Sequence, residues 1–321
     1  MRLFLATILT FLLIPAFAAP SSPPMPVPRP TIPSSEATKV AVPASETAKA
    51  AEPAAKTPAK ELFGRAEKAA PMAARAIGFY AKGCLAGAMA LPVDGETWQV
   101  MRLSRNRNWG HPDLIAMLER LAAKAPKVAN WHGILVGDLA QPRGGPMLTG
   151  HASHQLGLDA DVWLTPMPDR RLSREEREKI SASMMVRKDR LDIDPEHWTP
   201  GHMHVIKAAA EDPLVERVLV NAAIKKALCR EAGKDRDWLD KVRPYWGHDY
   251  HMHIRIRCPA GSPDCERQAP VPGGDGCGKE LDDWFRPAIV SPPPPKVPPK
   301  PKPPLLMSDL PAACRQVLIA R

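Results

Sequence analysis

Two proline-rich stretches most limit what this chain can fold into. The chain has 321 residues, of which 38 are proline. Residues 20–60 are rich in Pro and Ala with almost no aromatic side chains, so they cannot bury enough apolar surface to fold and are expected to form a disordered linker. Residues 287–321 contain Pro-Pro-Lys repeats, which favour polyproline II and a semi-rigid tail. The folded part is therefore expected at residues 61–286, a length that suits one domain.

The first 19 residues have the pattern of a secretory signal peptide. A charged start at Arg2 precedes an apolar run up to Ile14 and a small-x-small ending at Ala18. The run is shorter than the roughly 20 apolar residues that a spanning helix needs. We therefore expect an exported protein with no membrane insertion after cleavage.

Cysteine content and charge agree with export. An even count of six cysteines favours disulfides in an oxidising compartment. Spacing alone singles out only the pair Cys258 and Cys265, and the chain has no Cys-x-x-Cys pair that would suggest a thiolate zinc site. The net charge of +9 is compatible with an anionic partner in the cell envelope. Export argues against nucleic acid as that partner.

Two histidine clusters, about a hundred residues apart, carry the chemistry. The first is His151-Ala-Ser-His154, with Asp161 seven residues further on, and the second is His248-Asp-Tyr-His251-Met-His253. Imidazole and carboxylate are ligands that Zn²⁺ prefers. Two histidines spaced i, i+2 on a strand point to the same face. The sequence therefore predicts a catalytic zinc site built from two distant segments.

The remaining pattern predicts an α+β domain. Residues 158–164 and 251–257 alternate in the manner of strands, and residues 131–138 also read as a strand. Leu114, Leu118 and Leu121 recur at helical spacing. Asp212-Pro213 resembles a helix N-cap, and the apolar residues after it predict a helix up to Cys229.

A third histidine pair serves as a warning. His202-Met-His204 has the same His-x-His form, but it runs into a good helix-forming stretch without an obvious carboxylate partner. We interpret both histidines as structural or surface residues.

A catalytic zinc site needs three protein ligands and an open position, and His154, Asp161 and one histidine of the second cluster meet that count.

Five strings of residues stand out in the chain. They are His151-Ala-Ser-His154-Gln-Leu-Gly157-Leu-Asp-Ala-Asp161, Asp237-Trp-Leu239, Lys241-Val-Arg-Pro244, His248-Asp-Tyr-His251-Met-His253, and the stretch from Cys258-Pro259 through Cys265 to Gly273-Gly-Asp-Gly276-Cys277-Gly278. Together they resemble the penicillin-insensitive murein endopeptidases, part of the wider group of lysostaphin-like, D-Ala-D-Ala and hedgehog-like zinc peptidases. The resemblance runs from about residue 84 to residue 285, and weakly to Cys314. It implies an antiparallel sheet core with flanking helices and long loops.

The resemblance also implies roles for individual residues. It places one catalytic zinc ion on His154, Asp161 and His253, and it makes His251 and His248 the catalytic residues. His151 and Asp189 match positions at which the family can hold a second ion. The chain departs from the family pattern at Asp192, where a histidine is expected, and from the wider group at Ala152, where a serine is expected, so the second ion stays open. The implied disulfides are Cys84–Cys314, Cys229–Cys277 and Cys258–Cys265.

The implied substrate is cross-linked peptidoglycan in the periplasm. The bond is the one between D-alanine and meso-diaminopimelate that joins two stem peptides. Two alternatives remain at this point: a D-Ala-D-Ala carboxypeptidase of the same metal class, and a zinc-containing module that binds peptidoglycan without hydrolysing it.

Overall fold

The structure is a computed structural model that describes residues 56–292 and 302–321. The predicted signal peptide and most of the predicted linker lie outside the described residues.

Ten strands and eight helices make up the described part. The strands are β1 (Arg75–Phe79), β2 (Lys82–Ala86), β3 (Met89–Ala90), β4 (Trp98–Val100), β5 (Trp109–Gly110), β6 (Ile134–Val136), β7 (Asp159–Trp163), β8 (Val215–Val220), β9 (Val242–Pro244) and β10 (His251–Ile256). The helices are α1 (Ala59–Gly64), α2 (Pro112–Ala129), α3 (Arg174–Lys179), α4 (Pro200–Ala210), α5 (Ala222–Glu231), α6 (Lys279–Asp282), α7 (Pro287–Val290) and α8 (Ala313–Ile319).

A six-stranded sheet in the order β4-β6-β7-β10-β8-β9 forms the centre of the fold. Its four inner strands, β6, β7, β10 and β8, are antiparallel to one another. The two edge strands run parallel to their neighbours. Two small two-stranded sheets, β1-β2 and β3-β5, are separate from this sheet. The predicted α+β class is confirmed.

The two faces of the sheet differ in chemistry because side chains alternate along each strand. Along β10, Met252 and Ile254 belong to a large apolar cluster that also contains Leu118 of α2 and Ile206 of α4. His253, between the two apolar residues, belongs to the opposite face. Helices therefore cover one face, and the other face is left free to carry polar groups.

The predicted helix at 212–229 is wrong in its first half. Residues 215–220 form β8, which pairs with β10 on one side and β9 on the other. The helix α5 begins only after Asn221, whose side chain accepts the backbone N–H of Ala223. Val215, Val218 and Val220 are buried, and a β-branched run next to a central strand packs better as a strand than as a helix.

The third histidine pair has the structural and surface positions that the sequence predicts, and the cysteines form the implied disulfides. His202 is buried in the first turn of α4, where Nδ1 accepts the backbone N–H of Thr199 and Nε2 donates to the carbonyl of Leu164. His204 is exposed. All three disulfides implied by the family resemblance are present: Cys84–Cys314, Cys229–Cys277 and Cys258–Cys265.

Residues at both ends of the described part pack together, and some of them lie outside the range 61–286 in which the sequence predicts the folded domain. α1 begins at Ala59, and its Phe63 shares a small apolar cluster with Ile77 of β1 and Val317 of α8. The backbone N–H of Ala59 donates to the carbonyl of Leu305. Among the described residues, no helix is both long enough and apolar enough to cross a bilayer.

Candidate metal centre

The candidate site lies on the polar face of the sheet, where β7 and β10 pair. Asp161 on β7 lies opposite His253 on β10. His251, two residues before His253, shares its face of the strand. All three side chains are buried. Strand pairing thus brings together three of the residues that the sequence assigned to the site.

A tight loop before β7 brings His154 to the same point. His154 has φ 67°, a left-handed conformation that is uncommon outside glycine and often marks functional sites. Its backbone N–H donates to Oδ2 of Asp159. Gly157 also has a positive φ, and a Cβ there would lie 2.3 Å from the side chain of Leu85. The loop therefore has little freedom, and His154 is held in place.

Four imidazoles surround the carboxylate of Asp161. Burial alone would raise the pKa of this carboxyl, but the facing rings of His154 and His251 hold it well below its usual range. The carboxylate is therefore ionised and fixed at the centre of the cluster. The nitrogen–oxygen distances are 3.1 Å from His253 Nδ1, 3.5 Å from His154 Nε2, 3.5 Å from His151 Nε2 and 3.6 Å from His251 Nε2.

The cluster contains buried polar atoms without hydrogen-bond partners. They are both ring nitrogens of His154, Nδ1 of His251, and Oδ1 of Asp161, which lies 3.1 Å from His253 Nδ1 but without hydrogen-bond geometry. Leaving such groups unpaired costs about 1–3 kcal/mol each. One donor atom each from His151, His154 and Asp161 lies within 4.8 Å of the others. Neutral imidazoles and an ionised carboxylate are the donor set of zinc, so the residues present fit a bound cation.

An outer shell of acidic residues orients these groups. Asp159 accepts Nε2 of His253 at 2.9 Å and Nε of Arg255 at 2.6 Å. Burial by itself lowers the pKa of His253, but Asp159 and Asp161 on its two ring nitrogens raise it to about 9. The surroundings of His253 therefore stabilise a positive charge, whether a proton or a metal cation supplies it.

Asp138 belongs to the site but was not predicted from the sequence. Its Oδ2 receives Nη1 of Arg107 at 2.8 Å, Nη1 of Arg105 at 3.0 Å and Nε2 of His151 at 3.1 Å. Burial alone would raise the pKa of Asp138, but His151 and Arg107 lower it to about 2. The only signal in the sequence is its position two residues after the buried strand β6.

His248 stands at the edge of the cluster, just before β10. Its Nδ1 lies 2.7 Å from the carbonyl of Trp246, and its ring centre lies 4.7 Å from that of His251. Burial, His251 and His253 lower the pKa of His248 to about 4. The ring is therefore neutral at pH 7, with a proton on Nδ1 and a free lone pair on Nε2.

Asp189 is not brought to the cluster. It is exposed, and it accepts hydrogen bonds from Arg187 and from the backbone N–H of Leu191. Asp192 pairs with Lys226 and Arg230 instead. Within the described residues, neither carboxylate belongs to the group of donors that could share one ion.

Two cavities flank the cluster, and His151 lines both of them. The first has a volume of about 330 Å³ and contains Arg105, Asp138 and Trp163. The second has a volume of about 260 Å³ and contains Tyr80, Arg217 and Arg255. A linear substrate can therefore extend to either side of the histidines.

The sequence profile of penicillin-insensitive murein endopeptidases matches residues 76–319, a range that contains the whole cluster and the three disulfides. The chain belongs to this family. Membership identifies it as a peptidase.

Curated murein endopeptidases are similar to this chain over most of their own length. The penicillin-insensitive murein endopeptidase of Haemophilus influenzae is 50% identical over 66% of this chain and 73% of its own. The enzyme of that name from Yersinia enterocolitica is 48% identical over 72% and 83%, respectively. The Pectobacterium atrosepticum enzyme is 43% identical over 82% and 89%.

Proposed function

We propose that this protein is a zinc-dependent murein endopeptidase that hydrolyses the cross-link between D-alanine and meso-diaminopimelate. Family membership supports action on peptidoglycan. The observation that carries the zinc proposal is the buried carboxylate of Asp161 inside four imidazoles, with unpartnered polar atoms at their centre. This is a poor arrangement for a packed core and a good one for binding a cation.

His154, Asp161 and His253 would hold the ion. When bound, zinc acts as a Lewis acid that polarises a carbonyl and lowers the pKa of a coordinated water towards about 7. Asp159 would keep the ring of His253 oriented, as outer partners of metal-binding histidines commonly do. His151 would add a further donor at the rim. We propose a single catalytic ion, and we assign Asp189 no part in holding it.

His251 and His248 would handle protons. Burial lowers the pKa of His251, which keeps the ring neutral and able to accept a proton. His248 donates Nδ1–H to the carbonyl of Trp246, so its Nε2 is the accepting atom. A histidine that takes a proton from the attacking water can return it to the departing amine. The two neutral rings side by side support this assignment.

The two cavities favour an endopeptidase over a carboxypeptidase. A carboxypeptidase needs one extended subsite and a short pocket for a single terminal residue. Here the spaces on the two sides have similar volumes, about 330 and 260 Å³. Two stem peptides that meet at the scissile bond would occupy one cavity each.

We also propose that the protein acts in the periplasm after removal of residues 1–19. Three disulfides support an oxidising compartment, and peptidoglycan lies outside the inner membrane. Cell fractionation combined with N-terminal mass analysis would check this. Recovery of the uncleaved chain in the cytoplasm would contradict it.

The function is tested with a cross-linked muropeptide dimer and the purified mature protein. We expect cleavage to monomers, loss of cleavage with a chelator, and recovery with zinc. His253→Ala should lose activity by more than the roughly 10–100-fold that removal of an outer partner of a metal ligand costs. The control is His204→Ala, which removes an exposed histidine and should behave like wild type.

Two other outcomes would assign a different function. Release of terminal D-alanine from a pentapeptide, without dimer cleavage, would indicate a carboxypeptidase. Binding of zinc-loaded protein to peptidoglycan without any hydrolysis would indicate a binding module.

A further inference from the structure

The polar face of the sheet continues past the metal centre in a second row of side chains. Asp161 and His253 pair across β7 and β10, and Leu219 of β8 lies opposite His253. Two residues further along the strands, Asp159 pairs with Arg255, and Arg217 of β8 lies opposite Arg255. At about 3.3 Å per residue, this second row lies roughly 7 Å from the first.

Arg217 and Arg255 have very different surroundings. Arg255 has a carboxylate partner. Its Nε donates to Asp159 at 2.6 Å, its Nη1 donates to Gln268 at 2.7 Å, and its guanidinium lies 3.9 Å from the ring centre of Tyr80. Its charge is therefore balanced inside the protein.

Arg217 lacks a comparable partner. Nη2 donates to the carbonyl of Ala269, but Nε is buried without any hydrogen-bond partner. It makes no ion pair within the part of the chain that the structure describes, although the neighbouring Glu216 attracts it electrostatically. Among the described residues, its Nε is the only buried side-chain nitrogen or oxygen atom outside the histidine cluster that has no hydrogen-bond partner. A half-buried guanidinium without a counter-ion is unfavourable.

The cavity beside Arg217 fits an anion. It is the second cavity, of about 260 Å³. Tyr80, Gln268, Tyr245 and Arg255 line it together with Arg217, and it reaches the histidine cluster at His253. No carboxylate lines it among the described residues. The first cavity differs because its arginines already have partners, for example Arg105 with Asp138. Among the described residues, the buried guanidinium N–H that lacks a hydrogen-bond partner thus lies on one side of the cluster only.

We propose that the second cavity is a carboxylate subsite in which Arg217 binds the carboxylate next to the scissile bond. This inference rests on the proposed function. In the cross-link, the carbon that bears the scissile nitrogen also bears a free carboxylate of diaminopimelate. In an ordinary peptide the same position carries a neutral amide. A row spacing of roughly 7 Å suits a carboxylate a few bonds away from a carbonyl held at the histidines.

The consequence is specificity on the leaving-group side. Arginine binds a carboxylate through paired, charge-assisted hydrogen bonds, which are stronger than neutral ones. A substrate that lacks the negative charge would leave Arg217 unpaired in the complex. The enzyme would therefore distinguish the wall cross-link from a common peptide bond by this charge.

The test compares two muropeptide dimers, one with this diaminopimelate carboxylate free and one with it amidated. For the wild type we expect kcat/KM to be about 10–100-fold higher on the free acid. Arg217→Gln should lower kcat/KM on the free acid to the level of the amidated dimer and leave the amidated dimer unaffected. Arg257→Gln, which removes an exposed arginine directly after β10, should keep the wild-type preference.

A binding measurement separates this proposal from the proposed function. Calorimetry with a monomer that carries diaminopimelate, in its free and amidated forms, needs no turnover. Wild-type protein without a preference between the two forms would overturn the carboxylate subsite. So would an Arg217→Gln variant that is folded, contains zinc and keeps the full preference. Failure of the wild type to cleave either dimer, together with retained preference in binding, would contradict only the proposed function.

Discussion

Asp161 shows how a single residue can set the chemistry of its surroundings. An ionised carboxylate surrounded by four imidazoles attracts positive charge to one point, and burial strengthens that attraction because the local dielectric constant is low. His253 responds most, with its pKa raised to about 9. His248, at the edge, responds to burial and to neighbouring histidines, and its pKa falls.

Asp159 should control metal affinity without touching the ion. It accepts hydrogen bonds from His253 and Arg255, so Asp159→Asn weakens the fixed orientation of the His253 ring. We expect zinc affinity to fall about 10–100-fold, measured by competition with a chelator of known affinity. Asp169→Asn, at a side chain that is 84% exposed, is the control. An unchanged zinc affinity in Asp159→Asn would contradict the positioning role.

At the scale of elements, the predicted and the observed structure differ from Asp212 onwards. The sequence suggests a helix cap, whereas the structure places Asp212 between α4 and β8, where its carboxylate pairs with Arg120 of α2 at 3.0 Å. It also accepts the backbone N–H of Leu214. The Asp212 side chain thus stabilises the turn that leads into β8 and connects this turn to α2.

This ion pair predicts a dependence of stability on pH. Burial alone would raise the pKa of Asp212, but Arg120 and the N–H of Leu214 lower it. Because the folded-state pKa lies below the unfolded value of about 3.9, the unfolded chain binds more protons in acid. The stabilisation is therefore complete above about pH 4 and is lost as the pH falls through the folded-state pKa.

Asp212→Asn should lower the free energy of unfolding at pH 7 by about 1–3 kcal/mol. Its effect should be smaller at pH 3, below the unfolded-state pKa, where the wild type has lost part of the same stabilisation. Urea unfolding at both pH values measures this. An effect of equal size at pH 7 and pH 3 would show that the charge of Asp212 does not contribute.

At the scale of the whole molecule, the two ends of the described chain close on each other. Cys84 of β2 and Cys314 of α8 form a disulfide over 230 residues. Around it, Phe63 of α1 and Val317 of α8 share one apolar cluster. Arg143 donates to the carbonyls of Val317 and Ala320 at the end of α8. The residues of this small core form an apolar cluster of their own, distinct from the large cluster beneath the sheet.

The long disulfide should contribute more stability than the short one. In the chain-entropy model, closing a loop of 230 residues stabilises by about 5 kcal/mol, against about 2 kcal/mol for the seven-residue loop of Cys258–Cys265. We expect the double variant Cys84→Ala/Cys314→Ala to lose more stability than Cys258→Ala/Cys265→Ala and to keep its zinc. Thermal unfolding and metal analysis measure this, and a smaller loss for the long loop would contradict the model.

The local pattern of apolar and polar residues predicts much of the fold and part of the candidate site. The alternation in residues 158–164 and 251–257 predicts β7 and β10, and leucine spacing predicts α2. The same alternation places His251 and His253 on one face. The helix predicted through residues 215–220 was wrong because propensity is a weak guide where pairing with two neighbouring strands decides the conformation.

The amino-acid sequence by itself determined which residue types are available for metal chemistry and which of them share a strand face, because both depend only on chemical identity and on the two-residue repeat of a strand. Tertiary structure alone decided that His151 meets Asp138, that Asp159 supports His253, that Asp189 stays outside, and that Arg217 lies beside the cluster without a carboxylate partner among the described residues. These arrangements depend on the register between strands distant in sequence and on a loop held at positive φ. No local pattern encodes a contact between residues about a hundred positions apart.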